Sequence, residues 1–142
     1  MMDYTMSNSV TFIVPMSIDV GVRKKKTIWL NLNNIHTMHH QQYNGVKKKM
    51  KKIISELELD FYYDTYKVHY GVYLPDKLKR DVANVGAVVD KFVCDALQDL
   101  GFTAEDNYEY LQHITYEYMG YDPDGTGYVY VTVTETDSNK PV

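Results

Sequence analysis

Residues 79–107 read KRDVANVGAVVDKFVCDALQDLGFTAEDN, and this stretch decides the fold. Val85, Val88, Val89, Phe92 and Ala96 recur at spacings of three and four, which predicts a helix over Asp81–Leu100 with an apolar stripe. Gly101 stands where a left-handed residue ends a helix. At about 100° per residue, Asn84, Lys91 and Asp95 fall on one narrow polar stripe. Asp81 sits at the helix start, where a carboxylate meets the positive helix end. Glu105 and Asp106 follow in a loop that can fold back toward the stripe or toward the helix start. Asp90 lies about 120° off the stripe and is expected to point elsewhere.

Working outward, Ile35–Leu57 predicts a second helix. Val46, Met50, Ile53, Ile54 and Leu57 form its apolar face and the lysines lie on the other. Asn31–Asn34 supply capping side chains before it. Val10–Val14 and Thr27–Leu30 read as strands, with Ile18–Val22 either continuing the first or beginning a turn. Asp60–Tyr73, Tyr110–Tyr118 and Tyr128–Thr136 alternate as strands rich in Tyr, Val and Thr. Pro75 ends the first of these, and Asp122-Pro123-Asp124-Gly125 predicts a hairpin. The order β-β-α-β-α-β-β describes an α+β domain, a mixed sheet with two helices packed on it. Residues 1–8 read as a loose tail, 9–137 as one domain and 138–142 as a frayed end. A chain of 142 residues is long enough to bury its own core.

Cys94 is the only cysteine, so no intrachain disulfide and no cysteine-based zinc site is expected. That fits a reducing cytoplasm. There is no basic segment followed by an apolar run at the start, and no apolar run approaching ~18 residues, so neither a signal peptide nor a membrane span is expected. Charge is unevenly placed. Residues 1–80 hold 13 Lys/Arg against 7 Asp/Glu, while residues 81–142 hold 2 against 12. The cations come in runs: Arg23–Lys26, then Lys47, Lys48, Lys49, Lys51 and Lys52, then Lys77, Lys79 and Arg80. Such runs are commonly solvated faces, but beside an acidic cluster they also suit a polyanion held over metal-binding carboxylates.

Clustered carboxylates repel and need a reason. Oxygen ligands on short side chains suit Mg²⁺ or Mn²⁺. Helix capping by Asp81 with solvated acids elsewhere is the competing reading, and spacing alone leaves both open. His36 and His40 have i, i+4 spacing but lack the glutamate of a metalloprotease helix, so surface or phosphate contact is favoured over zinc. His69 and His113 fall in strands and read as structural. Trp29 reads as core rather than a base-stacking platform. Gly120–Gly125 lacks the later glutamate of a calcium loop. Neither a Ser-His-Asp triad nor a phosphate-cradling glycine loop is present.

The segment resembles the RusA-type Holliday junction resolvases. Asp81 and Asn84 match the family's Asp-x-Asp-Asn. Lys91 matches its lysine, Asp95-Ala96-Leu97 its Asp-Ala-Leu, Gly101 its glycine and Glu105-Asp106 its acidic pair. Leu30–Asn34 and the lysine-rich helix after it are similar to the family's first helix, so the resemblance covers about residues 27–135. Ala83 stands where the family has its second aspartate, and Asn84 to Lys91 is four residues longer, about one helical turn. Asp90 arises inside that extra turn. The resemblance implies a homodimer that nicks four-way DNA junctions symmetrically with Mg²⁺. Asp81 and Asp106 would be the surest ligands, Asp95 would support the metal or orient Lys91, and Asp90 would replace the missing ligand if the helix is wound differently there. Lys91 would contact the scissile phosphate. Lys47, Lys48, Lys49, Lys51 and Lys52 would grip flanking phosphates, with Asn34, Lys79, Arg80 and Asn84 also against DNA. The alternative is a junction-binding dimer of the same fold that has lost cleavage.

Overall fold

The computed structural model describes residues 8–137. The first seven residues of the expected tail and the expected frayed end at 138–142 lie outside them. Asn8 was expected in the tail, but it belongs to the domain. Its carbonyl accepts from the Glu135 N–H and its side chain donates to the Glu135 carboxylate.

The elements, in chain order, are β1 (Ser9–Pro15), β2 (Ser17–Val20), β3 (Lys26–Trp29), α1 (Leu32–Thr37), α2 (His40–Ser55), β4 (Tyr66–Leu74), α3 (Val82–Asp99), β5 (Leu111–Tyr121) and β6 (Tyr128–Glu135). They build the expected α+β domain, a mixed sheet with helices against it. The sheet order is β1-β6-β4-β5, antiparallel at the first two junctions and parallel between β4 and β5. Parallel neighbours need a long crossover, and α3 supplies it. Period-two alternation sets the buried face: Val129, Val131 and Val133 of β6 meet Tyr66, Val68, Tyr70 and Val72 of β4, all buried. Tyr73, Tyr128 and Tyr130 stack on the opposite face.

Four expectations are corrected. The single helix over Ile35–Leu57 is two, because Met38 and His39 are extended between α1 and α2. Ile18–Val22 neither continues β1 nor merely turns; β2 and β3 form a separate hairpin. Only glycine suits Gly21 in its turn, since φ is +107° and a Cβ would lie 2.3 Å from the Lys24 carbonyl oxygen. The strand expected from Asp60 begins at Tyr66, because residues 60–65 bond to other backbone only at the isolated Tyr63–Thr103 bridge and where Thr65 meets Thr136. Asp122–Gly125 is a turn but not a hairpin, since β4 lies between β5 and β6. Buried Asp122 holds that turn by accepting from Asp124 N, Gly127 N and Thr126 Oγ1. These bonds hold its carboxyl below the usual carboxylate range.

The buried residues of α3 run from Val85 to Leu97 and cover an arc of about 240° at helical geometry. The helix is therefore gripped by α2 on one side and the sheet on the other. Gly86 sits over Tyr116 of β5, where an added Cβ would lie 2.4 Å from the ring. Gly86→Val is expected to destabilise the fold by roughly 1–3 kcal/mol through overpacking, read as a lower urea midpoint. Gly86→Ala should cost less, because alanine's helix propensity offsets part of the clash.

Candidate functional site

Local backbone chemistry fixes each acidic side chain. Asp81 is the N-cap of α3, and its Oδ1 accepts from Ala83 N at 3.0 Å. Asn84 reaches across to α1, where its Oδ1 accepts from Leu32 N at 2.8 Å. Asn34 Nδ2 donates to the Trp29 carbonyl, and the Asn34 backbone N–H donates to Oδ1 of the Asn31 cap. These residues, read from sequence as metal or DNA contacts, thus have structural duties.

At the far end of α3, Gly101 adopts φ +82°. Gly101 N donates to Gln98 O and Phe102 N to Leu97 O, a Schellman closure. The loop beyond is tied down. Phe102 O and Ala104 N bond to Tyr63, Tyr66 Oη donates to the Glu105 carbonyl, and Asn107 Nδ2 donates to the Glu105 carboxylate at 2.7 Å. This folding back sets Asp106 where its charge acts on Asp90, Asp95, Cys94 and Tyr66. The expectation paired Asp106 with Asp81. The charges it acts on are those of Asp90 and Asp95, and Asp81 starts the helix about 13 Å of axial rise before Asp90.

Asp90 does point away from the Lys91–Asp95 stripe, as expected, but inward rather than into solvent. At helical geometry it falls between Cys94 and Leu97, inside the buried arc. Its Oδ1 accepts from Tyr70 Oη at 2.5 Å and from Cys94 Sγ at 3.2 Å. Burial pushes the Asp90 carboxyl up, the Tyr70 and Cys94 hydrogen bonds pull it down, and the Asp106 and Asp95 charges raise it further. Burial also pushes the Tyr70 hydroxyl and Cys94 thiol up, keeping both protonated as donors. Sequence reading gave Tyr70 and Cys94 no role beside Asp90; a thiol four residues after a carboxylate on one helix was the available signal.

Asp95 is half-buried on the polar stripe. Desolvation raises its carboxyl most, the Lys47 and Lys91 charges lower it, and Asp106 and Asp99 raise it. Lys91 is exposed, with its ammonium 5.9 Å from the centre of the Tyr43 ring. On α2, Lys48, Lys49, Lys51 and Lys52 are exposed, Lys47 is half-buried, and Lys51 approaches Asp99 at 4.0 Å. The basic face of α2 therefore borders the acidic stripe of α3. Lys79 and Arg80 are exposed before α3, with Arg80 paired to Asp76 at 2.7 Å.

Among the described residues, no three His, Cys, Asp or Glu side chains converge closely enough to hold a metal ion by themselves. His40 Nε2 lies 3.2 Å from Asn44 Nδ2, and His69 sits between Thr115 and Glu117 on the sheet. No described helix is long and apolar enough to cross a membrane. No protein-family model matches the chain, and no curated protein is similar enough to be matched to it.

The raised Asp90 carboxyl has a consequence for stability. The folded state favours the protonated acid, so the contribution is intact below the unfolded carboxyl's pKa of about 4 and declines as pH rises through the folded value. Asp90→Asn keeps an oxygen for both donors and removes the buried charge. It is expected to raise the urea midpoint at pH 7, with the gain shrinking toward pH 4. A gain independent of pH would rule out the charge as its source.

Proposed function

We propose that this chain is a metal-dependent, structure-specific DNA endonuclease of the RusA type, acting as a cytoplasmic homodimer that nicks four-way junctions. What supports the reading is one juxtaposition: the Asp90, Asp95 and Asp106 charges share a field, with Lys47 and Lys91 acting on the same centre. The residues fit an open Mg²⁺ or Mn²⁺ site rather than a closed cage. Mg²⁺ is held by one or two carboxylates and keeps several waters. Asp95 and Asp106 would supply those carboxylates; on Asp90, Oδ1 accepts from Tyr70 and Cys94, and among the described residues no donor reaches Oδ2. When bound, such a cation polarises a phosphoryl oxygen. Lys91 then lies beside Asp95 to bind the scissile phosphate and stabilise the charge that develops on it. The α2 lysines hold flanking phosphates by charge. Asp81 positions the helix as its cap.

The second reading is a junction-binding dimer without cleavage. Ala83 in place of a carboxylate favours it. A synthetic four-way junction incubated with the chain, with Mg²⁺ or Mn²⁺ and with EDTA, separates the two. Paired symmetric nicks only with metal are the expected result. Tight binding without nicks in any metal establishes the second reading. No binding at low salt removes both.

A further inference from the structure

Four concavities adjoin one another, each sharing lining residues with the next. Asp76 and Arg80 join the one beside Leu78 and Tyr118 to a central cavity of about 350 Å³. Asn34 joins that cavity to a notch at Thr37 and Met38, and Lys26 and Gln42 join the notch to the hollow beside Gly21 and Gly45. The run is basic at both ends, with Lys77, Lys79 and Arg80 at one and Lys24, Lys25 and Lys26 at the other. Among the described residues, its only carboxylate is Asp76, which Arg80 neutralises.

The central cavity is built for a flat, partly polar group. Met16, Leu30 and Val85, all buried, make an apolar floor. Trp29, expected in the core, is instead 37% exposed on its wall. Asn31 Nδ2 and Asn34 Oδ1, a donor and an acceptor, have no partner among the described residues; Asn31 Oδ1 caps α1 and Asn34 Nδ2 donates to the Trp29 carbonyl. A planar ring with hydrogen-bonding edges, carried on a chain with an anion at each side, is the chemistry this run matches.

We propose that the run holds a single strand of DNA, with one unpaired base against Trp29 and its neighbouring phosphates on the two basic ends. The proposal rests on the junction-binding reading, since helical stacking is interrupted at a branch point and a base there is drawn out at lower cost, but it does not require cleavage. Trp29 is the chain's only tryptophan, so its emission reports on this cavity without a label.

The test titrates the full chain, in EDTA and at low salt, with single-stranded dA10. Saturable quenching of Trp29 emission, reversed by added salt, is expected. Trp29→Ala should weaken binding of fluorescein-labelled dA10 about tenfold or more, by anisotropy, and Trp29→Phe should restore most of it. A ten-base-pair duplex should leave the emission unchanged. Unaltered emission while anisotropy shows dA10 bound overturns the proposal. So does equal quenching by the duplex, a preference for rA10, or no binding at all. If Trp29→Ala does not fold, the emission titration of the unaltered chain decides. Nicking of the four-way junction with Mg²⁺ is measured on the unaltered chain alongside, so failure of nicking and failure of this groove are read separately.

Discussion

An Asp106→Asn chain is expected to lose junction nicking by about 100-fold or more while binding the junction at least as tightly as the unaltered chain. Lewis-acid stabilisation by a catalytic cation is worth several kcal/mol, and each 1.36 kcal/mol or so is tenfold in rate. Removing one of two carboxylates that hold such a cation forfeits much of that. Binding moves the other way, because the change deletes a negative charge near the DNA and relieves the repulsion that Asp106 exerts on Asp90 and Asp95. Asp106 is exposed, so folding should survive the nearly isosteric change. Paired single-turnover nicking and gel-shift measurements check the split. Equal nicking by both chains would discard Asp106 as a ligand, and parallel losses of nicking and binding would assign it to the DNA contact instead.

Phe92→Ala is expected to cost about 3–5 kcal/mol, against a total stability of about 5–15 kcal/mol for a typical domain. Phe92 is fully buried on α3, and its ring centre lies 5.1 Å from that of Tyr43 on α2. Truncation leaves a cavity between two helices whose mutual position sets Lys47 beside Asp95. The surrounding structure has little room to close it, because the sheet fixes the far side of α3. Urea unfolding should show a lower midpoint with an unchanged slope. Phe92→Leu should recover most of the loss, and a cost below about 1 kcal/mol for the alanine would contradict close packing here.

The α3 stripe was legible because its period is strong and Gly101 punctuates it. The strands were legible wherever one face is buried, as in Val129, Val131 and Val133. The break between α1 and α2 was not, since Met38 and His39 carry no proline or glycine and leave the helical path only through tertiary placement. Residues 60–65 alternate like a strand, but alternation says nothing about whether a partner strand is near. The order of strands in the sheet was equally hidden, so the turn at Asp122 was mistaken for a hairpin. At the candidate site, the stripe of Lys91 and Asp95 followed from helical angles alone. The inward bonding of Asp90 did not, because it depends on Tyr70 arriving from another element, and the placing of Asp106 depends on the Tyr63 and Tyr66 bonds to its loop.

The grip on α3 from two sides bears on how this protein can evolve. Most of that helix answers to neighbours in α2 and the sheet, so neutral drift is confined to a sliver of positions such as Ala83, Gln98 and Asp99. Gln98 and Asp99 lie one helical turn beyond Asp95. New specificity can therefore arise there without endangering the scaffold, whereas Asp90 admits only a side chain that still accepts from Tyr70 and Cys94, as asparagine does.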